Sequence, residues 1–146
     1  MKNSDESLIN IHARKFVQRF LPPGVSDAHY FLYDWDQNYT FAPTGAELEE
    51  CLKDYTELVE YASREHILNV LDLDLMLASE LVLSYLHRAE TDKLQFVSAA
   101  VKRRLISVTG RVVSDVETFG GGMFRHYDAI KRIASINEFL VEGSKP

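Results

Sequence analysis

The chain has 146 residues, 46% of them hydrophobic and 26% charged, with a formal net charge of −6. These values exclude a disordered or low-complexity polymer and suit one helical domain, 1–146, long enough to bury a core. A single cysteine, Cys51, excludes an internal disulfide and fits a reducing compartment, so a cytoplasmic protein is expected.

The charge is uneven along the chain. Residues 1–90 hold 7 Lys/Arg against 16 Asp/Glu, a balance of −9, and residues 91–146 hold 9 against 6, a balance of +3. Such polarity has two readings: complementary halves that pack on each other, within one chain or between two, or a basic half that meets an acidic partner.

In chain order, residues 4–21 read as the first helix. Ser4 is placed to cap it, Asp5 and Glu6 suit its positive end, and Ile9, Ala13, Phe16, Val17 and Phe20 form one apolar stripe. The "LPPG" that follows stops it, because proline lacks the amide hydrogen and disfavours helix in the residue before it. The early acids and the lack of a long apolar run are unlike a secretory signal.

The segment 25–43 holds Tyr30, Phe31, Tyr33, Trp35, Tyr39 and Phe41. Its alternation suggests an extended or hairpin-like lid over the helices, though Ser26 could equally cap a short helix. Asp34, Asp36 and Asn38 stand at the first, third and fifth places of a calcium loop. Tyr39 takes the place of the turn glycine and Gly45 that of the bidentate glutamate, so a polar turn is expected and no metal.

"TGAE" from Thr44 is a capping box, and Leu48, Cys51, Leu52, Tyr55, Leu58, Val59 and Ala62 follow at helical steps. This helix should reach about residue 69, with Glu47, Glu50, Asp54 and Glu57 in an acidic row. Cys51 falls on the apolar side, as a core residue rather than a nucleophile.

Asp72 or Asp74 can cap the next helix. It is apolar nearly all round, which marks the central helix of a bundle. Its polar residues are Glu80, Ser84, His87 and Arg88. They lack the spacing of a metal set, but they would become a buried network if the helix is central.

From Asp92, the apolar residues Leu94, Val97, Val101, Leu105, Val108, Val112, Val116 and Phe119 recur every three or four places. They fit one helix of ~27 residues, about 40 Å long, with a break expected near Gly110 if there is one. After "GGG", Ile130, Ile133, Ile136 and Leu140 mark the last helix. The spacing predicts an all-α fold, a four- to five-helix bundle with one irregular aromatic segment. No stretch approaches the ~20 apolar residues of a membrane span, so no membrane partner is expected.

Two stretches carry possible chemistry. Gly121 and Gly122 open a helix whose Arg125, His126 and Arg132 could bind the phosphate or carboxylate of a small ligand. The GxxxxGK(S/T) spacing is absent, and Gly120 as a helix C-cap, with the other glycines allowing a tight reversal, is the favoured explanation. Lys102, Arg103, Arg104 and Arg111 form a basic centre around Gly110. Ile106, Thr109 and Arg111 fit poorly where a helix-turn-helix needs small or apolar residues, and the chain is acidic overall, which disfavours nucleic acid. No arginine stands four to six residues before any of the five histidines.

No catalytic constellation emerges and no cofactor is implied. The expectation is a regulatory, adaptor or inhibitor module acting by protein contact, with a homodimer built on the long helix 92–119 or on the acidic row. A binder or enzyme at the glycine–helix junction is the alternative, and a nucleic-acid regulator using 102–111 is the third.

Overall fold

The computed structural model describes residues 8–21, 43–64, 72–89, 91–119 and 127–143. They form six α-helices: α1 (Leu8–Phe20), α2 (Gly45–Arg64), α3 (Asp72–Arg88), α4 (Thr91–Phe96), α5 (Ala99–Phe119) and α6 (Tyr127–Gly143). Among the described residues there is no strand, and the fold is all-α. The aromatic segment lies outside the described residues as far as residue 42.

The core follows from the apolar stripes. Ala13, Phe16, Val17 and Phe20 of α1 are buried, as are Leu48, Cys51, Leu52, Tyr55, Leu58 and Val59 of α2. Each such large side chain contributes about 1.5–3 kcal/mol by leaving water. The capping box of α2 forms as its sequence requires. Thr44 N donates to Glu47 Oε1 at 2.9 Å, and Glu47 N donates to Thr44 Oγ1 at 3.1 Å.

Helix α3 is the central element. It is the least amphipathic of the long helices, and every residue from 77 to 86 is buried. It packs on α1, α2 and α6. Tyr85 Oη donates to the Phe20 carbonyl at 2.8 Å, and Tyr55 Oη shares a hydrogen bond of 2.7 Å with Ser79 Oγ. Both phenols are pushed well above their ordinary pKa, chiefly by burial.

The pairings set the directions. Helix α1 runs antiparallel to α2, with His12 on Tyr61 and Phe16 on Tyr55. Helices α3 and α6 are parallel: Glu80 meets Arg132, and two turns on, His87 meets Phe139. Helices α2 and α5 are parallel too, through Glu49 on Ser98 and Glu60 on Arg104. Helices α1 and α2, consecutive in the described chain, are thus antiparallel, while the parallel contacts join helices distant in sequence. The result is a four-helix arrangement of α2, α3, α6 and α5, with α1 laid on α2 and α3.

The single helix expected over 92–119 is two helices, and the break is at Val97–Ser98 rather than near Gly110. Ser98 explains the position. Its Oγ accepts from Val101 N at 3.2 Å and its carbonyl accepts from Lys102 N at 3.1 Å, while Glu49 Oε1 accepts the Ser98 amide at 3.1 Å. A serine that caps a new helix outweighs an unbroken apolar stripe. Gly110 lies inside α5, beside Asn137 of α6. Asn137 Nδ2 donates to the Ile106 carbonyl at 3.0 Å and to Thr109 Oγ1 at 3.1 Å, which ties α6 to α5.

Candidate functional site

Two depressions stand out on the described surface. The first, of about 560 Å³, lies between α1, α2 and α5 and is walled by charge. His12, Lys15 and Arg19 come from α1, Asp54, Glu57, Glu60 and Tyr61 from α2, and Arg104 from α5. Two of its three strong cations are already engaged. Arg19 spans Glu50, at 2.8 Å, and Asp54. Arg104 grips the Glu60 carboxylate with two nitrogens. The acidic row of α2 thus serves the fold: Glu47 caps, Glu50 and Asp54 hold α1, and neighbouring Glu60 holds α5.

Asp54 lies partly buried at the edge of this cleft. Burial raises its carboxyl pKa, and the Arg19 charge opposes that rise, while Glu50 and Glu57 add to it. Beneath it, Cys51 is fully buried, and burial first, then the Asp54 charge, pushes its thiol well above the usual range. A thiol held protonated and out of contact with solvent is a core residue, not a nucleophile.

The second depression, of about 720 Å³, lies where α3, α4, α5 and α6 meet. Leu83, Leu86, Ala89, Leu94 and Phe139 make it apolar, and His87, Lys102, Glu138 and Glu142 stand on its rim. Its volume falls within the range of ligand and peptide sites. Phe96 and Val141 are the exposed large hydrophobics of the described residues, 73% and 37% exposed. Neither of them lines this groove. Phe96 lies against α2: a Cβ added to Gly45 would lie 3.2 Å from Phe96 Cβ and 3.4 Å from its Cδ2, so glycine is what lets α4 close on α2.

The polar residues of α3 divide. Glu80 is buried and accepts from Arg132 Nε at 2.7 Å. Ser84 is fully buried, and its hydroxyl has no hydrogen-bond partner among the described residues. His87 reaches the surface, packed edge-on to Phe139 with ring centres 5.2 Å apart. Among the described residues, the buried part of the expected row holds the Glu80–Arg132 ion pair and the Ser84 hydroxyl.

Of the anion candidates, Gly121, Gly122, Arg125 and His126 lie outside the described residues, and Arg132 is the partner of Glu80. The basic stretch is split by helical geometry. Lys102 faces the second groove, its Nζ 3.5 Å from the Leu94 carbonyl, whereas Arg104 turns to α2 and Glu60. Arg103 and Arg111 are exposed. Two ion pairs, Arg104–Glu60 and Arg132–Glu80, join the basic half to the acidic half, in keeping with halves that pack on each other within the chain.

Sequence reasoning named Leu83, Leu86, His87, Leu94 and Lys102 without showing that they border one groove, and it missed Glu138, Phe139 and Glu142. Phe96 and Val141 are out of register with the stripes of their own helices, which accounts for their exposure. Among the described residues, no three His, Cys, Asp or Glu side chains converge as a metal-holding group, and no helix is long and apolar enough to cross a membrane. Comparison of the chain with family models, with curated proteins and with solved structures finds no match.

Proposed function

We propose that the protein is a regulatory or adaptor module that works by binding another protein through the groove between α3, α4, α5 and α6. The observation that carries this reading is the open apolar depression formed by Leu83, Leu86, Ala89, Leu94 and Phe139, with His87, Lys102, Glu138 and Glu142 around it. Single exposed hydrophobics are ordinary, but a contiguous apolar surface edged by polar groups marks a contact site. The rim of charged residues around an apolar centre matches the anatomy of protein interfaces. The charged cleft supports the same choice indirectly, because Arg19 and Arg104 are spent on holding α1 and α5 to α2.

The test places a photo-crosslinking amino acid at Gln95, on the groove wall, or at Lys15, in the charged cleft, in cells that express the protein. The expected result is a protein adduct from Gln95 that Leu94→Glu abolishes, with none from Lys15. Equal adducts from both positions, or none from Gln95, would remove the proposal.

A further inference from the structure

We infer that the groove takes from its partner protein an apolar segment flanked by lysine or arginine, whose cations settle on the acidic α6 wall at Glu138 and Glu142. The inference rests on the protein-contact reading above and names the chemistry of the partner.

The charges around the groove divide into those answered within the chain and those left open. Helix α3 reaches the groove with its C-terminal end, a negative pole, and its own His87 and Arg88 stand in the last turn to offset it. Helix α5 starts at the same end of the bundle with a positive pole, and Glu49 of α2 accepts the Ser98 amide there at 3.1 Å. Lys102 is half-buried and turns Nζ to the Leu94 carbonyl at 3.5 Å, so its charge is drawn to the α4 backbone.

Helix α6 is the exception. It too ends at the groove, and no basic residue stands in its last turn. Glu142 stands in that turn and adds to the negative pole, with Glu138 one turn earlier on the same face. Both carboxylates are exposed, and Glu138 has no ion pair among the described residues. Two acids four residues apart on a helix repel each other, and a cation laid between them relieves that repulsion. The apolar centre of Leu83, Leu86, Leu94 and Phe139 adjoins this wall. A docked segment therefore covers both at once, with apolar side chains over the centre and cations over α6. An acidic segment would set like charges against Glu138 and Glu142, which disfavours it.

Fluorescence anisotropy with the full chain tests this against three synthetic helical peptides of one length. The first carries leucines at helical spacing flanked by lysines. The second replaces each lysine with glutamate, and the third keeps the lysines and replaces each leucine with serine. The first should bind about tenfold more tightly than either of the others. Glu138→Lys should weaken the first peptide about fivefold and strengthen the second. Leu94→Glu should remove binding of the first. Unaltered circular dichroism of both variants separates loss of binding from loss of fold, and Glu138, being exposed, keeps the test open if Leu94→Glu fails to fold. Equal binding of the first and third peptides would reflect attraction to the acidic chain as a whole and overturns the inference. So does tighter binding of the glutamate peptide, a Glu138→Lys variant that changes neither peptide, or no binding by any. If the glutamate peptide binds and Leu94→Glu removes it, the basic-segment inference fails and the protein-contact reading stands. The absence of a Gln95 adduct in cells, by contrast, removes that reading itself.

Discussion

The two depressions have opposite characters. The cleft between α1, α2 and α5 holds the denser charge, and the groove beside α3 and α6 holds the apolar surface. In the cleft, Arg19 and Arg104 have partners inside the chain, and their carboxylates anchor one helix to the next. In the groove, the side chains of Leu83, Leu86, Leu94 and Phe139 stop short of filling the space. A concentration of charge is therefore a poor guide to a binding site where the charges satisfy each other. An incompletely covered apolar surface is the better one.

The frame shared by both regions should respond most strongly, at alkaline pH. Tyr55 stays neutral in the core, with its pKa raised by burial. Its unfolded value is about 10, so its contribution is intact below that pH and is lost as pH rises toward the folded value. Stability should fall by about 1.4 kcal/mol per pH unit above about pH 10 from this phenol alone. Denaturant titrations at stepped pH should show that slope, and Tyr55→Phe should reduce it.

On the groove side, Glu80→Ala should cost about 3 kcal/mol, because Arg132 would be left partly buried without its carboxylate. The matching change on the cleft side, Arg19→Ala, should cost under about 1 kcal/mol, since its side chain is 55% exposed. Salt should weaken the second pair more than the first. Equal losses in urea titrations would erase the contrast between the two regions. Ser84→Ala should be neutral or stabilise by up to about 1 kcal/mol, because it removes a buried hydroxyl that bonds to nothing described. Phe96→Ser should change stability least, within about 0.5 kcal/mol, because the side chain is 73% exposed.

Much of the frame was legible in the residues. The Thr44 capping box, the stripe Leu48 to Val59 and the all-round apolar run of α3 each follow from local rules and reappear in the structure. The break at Val97–Ser98 was not, because the apolar register runs straight through it, and Glu49 from a different helix joins in capping α5. The Arg132–Glu80 pair was equally hidden, since it joins residues 52 apart in sequence. The basic stretch could have been divided in advance: residues two apart on a helix do not share a face, which separates Lys102 from Arg104. The groove is a product of four helices meeting, and no local rule along one helix anticipates it.

The most direct test of a contact surface at the groove is photo-crosslinking from Gln95, on its wall, compared with Lys15 in the charged cleft, in cells that express the protein. A protein adduct from Gln95 with none from Lys15 is the predicted result. An adduct from Lys15 with none from Gln95 would contradict it.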